Sequence, residues 1–246
     1  MDRMLYIAMS GAKETMISQA ANANNLANAD TSGFLADLNQ FRSMPVFGEG
    51  YPTRVYAMGE RHQVDFGRGA LESTGNDLHV AIRGDGFIAV QAPDGTEAYT
   101  RRGDMQTDAN GILTNGAGLP VLGDGGPIAI PPEAKVEFGN DGTITIKPEG
   151  AQADALAIID RIKLVNPPLA DLDKGEDGLL RLREGGEADA DPNVEVIKGL
   201  LESSNVNIVD SLVTMIDLSR RFEMQVKMMQ SAKETDEAGA SILRAV

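Results

Sequence analysis

Residues 208–244 run without a proline and with one glycine, Gly239. Within them Leu212, Met215, Ser219, Phe222, Val226, Met229, Lys233, Asp236, Ala240 and Leu243 alternate steps of three and four. That spacing is a heptad seam, apolar where it begins and polar toward its end. About 37 residues at 1.5 Å each make a rod of roughly 55 Å. Such a helix is too long to be enclosed by a compact domain built from 246 residues, so it must project. Val209, Val213, Ile216, Leu218, Met224 and Met228 add apolar surface away from the seam. A two-helix hairpin covers one stripe and leaves that surplus bare. A bundle of many copies covers it, and the surplus favours the bundle.

A second helix is expected over residues 3–28. Leu5, Ala8, Ala12, Ala20, Ala23 and Leu26, with Met9 and Met16, recur at helical spacing. The side chains are mostly small, which lets another helix approach closely. Asn22, Asn24, Asn25 and Asn28 make the last turns polar and weak in isolation. They are candidates for bonding between helices and for fixing register. Thr31-Ser32-Gly33 stops the helix, with Gly33 free to take the left-handed exit conformation.

Between the helices the pattern changes to period two and to turns. Leu78, Val80 and Ile82 alternate with polar positions, His79 facing the opposite way and toward solvent. Asp94-Gly95, Asn110-Gly111, Asn115-Gly116 and Asp141-Gly142 are hairpin dipeptides. Ile144, Ile146, Ile158, Ile162 and Leu164 supply further short strands, so an all-β meander or sandwich is expected. Glycine follows this division: 18 of 27 lie in 75–196. Charge does too. Residues 1–74 carry 6 basic and 8 acidic groups, 75–196 carry 10 and 22, and 197–246 carry 6 and 7. The net charge of −15 therefore resides almost wholly in the middle. The fold class is mixed α and β: long terminal helices form a coiled-coil-like α domain, and an all-β domain is inserted between them. The divisions are 1–35 for the first helix, 36–74 for an extended linker, 75–196 for the β domain and 197–246 for the second helix.

Several chemistries are excluded. The chain has no cysteine, hence no disulfide, thiolate metal site or cysteine nucleophile. His62 and His79 are the whole histidine complement, too few for a His-rich metal centre. The acidic balance argues against a nucleic-acid binder. No apolar run reaches the roughly 18 residues that a membrane span needs. Met1-Asp2-Arg3-Met4 lacks a basic n-region, and Ser10, Gly11, Lys13 and Glu14 interrupt any h-region. That predicts either a cytoplasmic protein or one exported without a cleaved Sec signal. Gly84-Asp-Gly86-Phe-Ile-Ala89 matches a dinucleotide fingerprint, but Phe87 to Pro93 reads as a strand and turn where a helix is required. Gln106 to Ala117 resembles half a calcium loop but ends on Ala117 instead of Glu. Asp171, Asp173, Glu176 and Asp177 read as a solvated acidic loop. No catalytic constellation is discernible, so the chain is read as a non-enzyme with no cofactor and no metal.

The segment from Ala23 to Phe34, Ala-Asn-Asn-Leu-Ala-Asn-Ala-Asp-Thr-Ser-Gly-Phe, resembles the ANNLAN…GF signature of the bacterial flagellar rod and hook proteins. Leu78 to Phe87 is similar to that family's "DLAIxGxGFF" entry to the β domain. Tyr99-Thr-Arg101-Arg-Gly103 with Asp108-Ala-Asn-Gly111 resembles its "YTRxGxFxxDxxGxLV" hairpin. Leu201-Glu-Ser-Ser-Asn205-Val206 resembles its "LExSNV" lead into the last helix, and Arg220-Arg221-Phe222-Glu223 matches as well. The opening Met1 to Tyr6, the stretch Phe41 to Val46 and Val165-Asn-Pro-Pro168 resemble the proximal-rod branch more than the distal-rod branch. Ala-Asp-Thr-Ser in the signature, Ile88 and Met105 depart from the usual residues.

The resemblance implies a structural subunit of the flagellar basal-body rod, polymerised through its terminal helices into the torque-transmitting tube around the export channel. It implies passage through the flagellar type III export apparatus. The neighbours would be copies of itself and other rod proteins, proximal below and distal above, with the rod spanning the periplasm. No direct membrane insertion is implied. The expected subunit-interface residues are Leu5, Ala8, Ala12, Asn24, Asn25, Leu26, Asn28, Gly33, Phe34, Asn205, Leu212, Met215, Phe222, Val226 and Met229. The alternatives are a distal-rod or hook subunit, or a ligand-binding β domain with helical oligomerisation ends.

Overall fold

The computed structural model describes residues 4–45, 47, 55–59, 63–131, 134–148 and 157–244. Met1 to Arg3, Val46 and His62, named above, lie outside the described residues, as does the side chain of Leu243. The chain divides into two compact units. One comprises residues 1–29, 37–65 and 206–246, and the other comprises 30–36 and 66–205.

The first unit is helical. Helix α1 spans Met4–Ala27 and α2 spans Ile208–Arg244. Asn207 caps α2, its Oδ1 accepting from the Val209 amide at 3.0 Å. The two helices run antiparallel, since Asn22 meets Ser211 and Thr15 meets Gln225. No helix among the described residues is long and apolar enough to cross a membrane. The 36–74 stretch, expected as an extended linker, contains paired strands. Phe41–Pro45 pairs antiparallel with Val55–Gly59, and Asp37–Leu38 with Gln63–Val64. The Val55–Gly59 strand packs on α1, where a Cβ at Gly59 would lie 2.6 Å from Glu14 Oε2.

Among its described residues the regular structure of the second unit is β, with one 3-10 turn at Leu169–Asp171. Its largest sheet is antiparallel, in the order Leu164–Val165, Phe87–Gln91, Glu97–Thr100, Leu180–Leu182, Leu172–Lys174. Ala134–Phe138, Thr143–Pro148 and Ala157–Arg161 form a three-stranded sheet. Val80–Arg83 pairs with Glu195–Lys198, and Leu71–Ser73 with Leu200–Glu202. The core gathers Val80, Ile82, Ile88, Val90, Leu113, Val121, Ile128, Ile144 and Ile162. Strict alternation does not hold here. Val80, Ala81 and Ile82 are all buried, as are Phe87 to Val90, because both faces of these strands are covered. His79 is half-buried instead of solvent-facing, its ring 2.8 Å from Thr74 Oγ1 and 3.2 Å from Asn76 Nδ2.

Gly95, Gly111 and Gly142 take positive φ in their turns as the dipeptides predict. Asn115-Gly116 differs: Gly118 supplies the left-handed residue, with φ of 79°. Asn115 is buried, and its Oδ1 accepts from the amides of Ala117 and Leu119, both at 3.0 Å. The turn is therefore held by a side chain acting as a backbone acceptor. Asp177 of the acidic loop bonds Arg181 at 2.6 Å, and that guanidinium holds its carboxyl below the usual aspartate value.

Candidate assembly surface

On α1 the covered residues are Ala8, Ala12, Thr15, Ser18 and Asn25, a line of small or polar side chains. On α2 the residues turned from solvent are Ser211, Met215, Leu218, Phe222, Gln225, Met229 and Ala232. These also alternate steps of four and three, so they form a heptad seam. It shares Met215, Phe222 and Met229 with the expected seam but replaces Leu212, Ser219, Val226 and Lys233 by their predecessors. Leu212 and Val226 stand exposed, and Val209, Val213, Ile216 and Met224 are more than half exposed. Helix α2 thus carries two adjacent seams. One is covered by α1 of the same chain, and the other, with Leu212 and Val226, is uncovered.

The expected residues on α1 divide between covered and exposed positions. Ala8 and Ala12 face α2, whereas Leu5 and Asn24 are exposed and Leu26 is half-buried. Asn25 serves its own chain: it donates to the Asp37 carbonyl at 2.9 Å and accepts from the Asp37 amide at 2.8 Å. That paired contact fixes the chain reversal after α1. Asn22 donates to the Ser211 carbonyl at 2.8 Å. Asn28 is half-buried and donates to the Asn24 carbonyl at 3.0 Å within its own turn.

The remaining expected residues, Gly33, Phe34 and Asn205, belong to the β unit and meet there. Gly33 has φ of 65°, and a Cβ on it would collide with the Arg101–Arg102 backbone. Its amide donates to the Glu202 carbonyl at 2.7 Å. The Asn205 amide donates to the Phe34 carbonyl, its Oδ1 accepts from the Ala36 amide, and its Nδ2 donates to Gly67. Lys174 Nζ sits 4.1 Å from the centre of the Phe34 ring and donates to the Leu35 carbonyl.

Beside them is an ion pair that the sequence reading did not single out. Arg101 and Glu202 are both buried, 2.8 Å apart. Arg101 also donates to the carbonyls of Gly86 and Gly84 at 3.0 and 3.1 Å, and its guanidinium lies 5.9 Å from the Phe87 ring centre. Glu202 Oε1 accepts from the Gly69 amide at 3.1 Å. Both charges are thus compensated, as burial demands. The pair lies 101 positions apart in sequence, so no local pattern could have announced it. Four of the sequence segments carrying the family resemblance contribute here, through Gly33, Gly84 to Phe87, Arg101 and Glu202.

Three family models match in the same places. Residues 5–34 match the flagella basal body rod protein family, 81–146 the flagellar hook protein FlgE/F/G D1 domain, and 197–242 the flagellar basal body rod FlgEFG protein C-terminal family. The chain is 42% identical over 240 residues to the flagellar basal-body rod protein FlgF of Escherichia coli, covering 95% of each. It is 40% identical to the FlgF of Salmonella typhimurium, covering 96% of each. The identity falls to 29% against the FlgG of Buchnera aphidicola, over 94% of this chain and 95% of that one. The chain therefore belongs to the flagellar basal-body rod protein family, as a FlgF-like member.

Proposed function

We propose that this chain is a structural subunit of the proximal rod, polymerising through α1 and α2 into a torque-transmitting tube around the export channel. The observation that carries the reading is the uncovered apolar surface of α2, Leu212 and Val226 of its second seam with Ile216 off that seam, all exposed while the other seam is filled by α1. Burying those side chains between copies supplies the free energy that offsets the entropy lost on ordering. In this reading the helix pair acts as a coiled-coil-like axial domain, and the β unit inserted between the helices forms the outer layer. Leu5, Asn24, Leu212 and Val226 are the interface residues that neighbours would meet first. Met215, Phe222 and Met229 sit where both seams share an edge, and flexible methionines adapt to non-identical neighbours.

The partners are copies of this chain, the proximal-rod proteins below and the distal rod above. In this reading the chain passes through the type III export apparatus and the rod it builds spans the periplasm. The acidic β layer would discourage lateral sticking between rods. The test is complementation of a deletion strain with Ile216→Asp, paired with a density map of basal bodies rebuilt by the unsubstituted chain. The expected result is a folded, exported variant that builds no rod, and a map that seats the chain in the proximal rod. Normal swimming by the variant removes the uncovered apolar surface around Ile216 from the interface. Density only in the distal rod or hook replaces the proximal assignment with its alternative.

A further inference from the structure

The seam between α1 and α2 is nearly degenerate. Of its large apolar side chains on α2, Met215, Phe222 and Met229 are spaced by seven, so a slip of one heptad superposes them on one another, and Leu218 alone has no apolar counterpart of its size one heptad away. The facing residues of α1, Ala8, Ala12, Thr15 and Ser18, are all small and grip none of the three by shape. Asn22 bonds a backbone carbonyl, a group that every turn of α2 presents. The second seam of α2 shares the same three large residues and adds Leu212 and Val226 where the covered seam has Leu218 and Ala232, so hydrophobic burial alone discriminates poorly between them. A specific contact within the seam must then hold α1 to one of the two and at one turn.

We propose that Gln225 is that key, the residue that selects which seam of α2 is covered by α1 and at which turn. Gln225 is the long polar side chain of the covered seam. Its Nε2 fills the notch at Gly11, where even a Cβ would come within 2.9 Å. Its Oε1 lies 3.2 Å from the Thr15 hydroxyl, which also reaches the Gly11 carbonyl at 2.8 Å, so one proton serves two acceptors. Gly11 and Thr15 together form a small notch with a donor beside it. A slip of seven residues sets the amide against Met4 or Ser18, each of which has a Cβ where Gly11 has none. Rotation onto the second seam puts Val226 in the notch and leaves the Thr15 hydroxyl with no amide to meet. A polar side chain within an apolar seam specifies register at some cost in stability, and Gln225 is placed to do so. The consequence goes beyond subunit assembly in general: Gln225 determines which face of α2 remains open.

The chain has no cysteine, so Lys13→Cys and Lys227→Cys give two clean sites for spin labels on exposed positions of the full chain. The distance between the labels reads register and face directly in the dissociated protein. With Gln225 present, one narrow distance is expected. Gln225→Leu should add a second discrete distance, from rotation or from an axial slip of about 10 Å. Gly11→Ala should do the same, because the added methyl expels the amide. Combining Gly11→Ala with Gln225→Ala should reduce that second population relative to Gly11→Ala alone, since the methyl then occupies the vacated notch. One unchanged distance in Gln225→Leu overturns the proposal. So does a featureless broadening with no discrete second distance, which assigns Gln225 to stability alone. The measurement uses no rod, so a chain that keeps its register key but builds no rod would defeat the proposed function and leave this inference standing.

Discussion

In the β unit Ile88, Val90, Leu113 and Ile144 have no exposed surface at all. Along α2, by contrast, Val209 is 67% and Ile216 54% exposed. The seam that α2 does cover is filled by alanine, threonine, serine and asparagine from α1. The β unit compensates its buried charges, Arg101 with Glu202, while the helical unit leaves Leu212, Ile216, Met224 and Val226 exposed. The first arrangement is complete within one chain. The second becomes complete when another surface arrives, and the difference separates a folding core from an assembling one.

The largest effect expected from a single substitution lies at the ion pair. Arg101→Ala leaves Glu202 buried without its partner, and breaking a buried pair costs about 3–5 kcal/mol. The loss should appear as a fall in the thermal midpoint of the β unit and as faster hydrogen exchange at the Gly33 and Gly69 amides, both of which bond Glu202. Exchange in α2 beyond Ser211 should be unaffected. If α2 loosened equally, the two units would share one cooperative core and the contrast would fail.

A matched pair of substitutions sharpens the contrast. Ile88→Ala removes a fully buried side chain and should cost about 2–5 kcal/mol in denaturant unfolding. Ile216→Ala makes the same chemical change at an exposed site and should stay within about 0.5 kcal/mol in the dissociated chain. In the assembled state the order should reverse, with Ile216→Ala weakening polymerisation more than Ile88→Ala. Equal unfolding costs at the two positions would mean that Ile216 is already covered in one chain.

Most of this architecture was legible in the sequence, and the exceptions have physical causes. Both helices followed from apolar spacing, and Gly95, Gly111 and Gly142 marked their turns. Periodicity picks out the apolar stripe through Leu212 and Val226, whereas the stripe that α1 covers runs through Ser211 and Gln225, which suit its small, polar surface. Which stripe is covered depends on the partner, and a single helix does not encode it. Asn115-Gly116 misled because the side chain of buried Asn115 closes that turn and shifts the left-handed residue to Gly118. The Phe41–Pro45 hairpin was read as linker because its first strand is exposed on both faces and shows no alternation. Arg101 and Glu202 each sat in a quoted motif. Their contact is long-range and belongs to the fold rather than to either motif.

The smallest expected effect comes from acid, and it falls on the β unit. Asp94, Asp108, Asp141, Asp177 and Asp191 all lie there, and each is held below the ordinary aspartate value of 3.8. For Asp94 and Asp141 the main cause is a threonine hydroxyl two residues on, and for Asp177 it is Arg181. For Asp108 it is the Ile112 amide, and for Asp191 the Asn193 amide. A carboxyl whose folded pKa is depressed stabilises the fold in full above its unfolded pKa. It loses that contribution as pH falls through the folded value. The window therefore opens near pH 4 and runs downward, and nothing from these groups changes between pH 5 and 8. All five are turn residues close to solvent, so each loss is small and screened. Hydrogen exchange at the Thr96, Ile112, Thr143, Leu179 and Asn193 amides, which these carboxylates accept from, should rise first on acidification. Exchange at the Ile88 and Val90 amides should follow only at lower pH. Acid loosening that began in the central strands instead would place the sensitive groups in the core and remove the turns from the account.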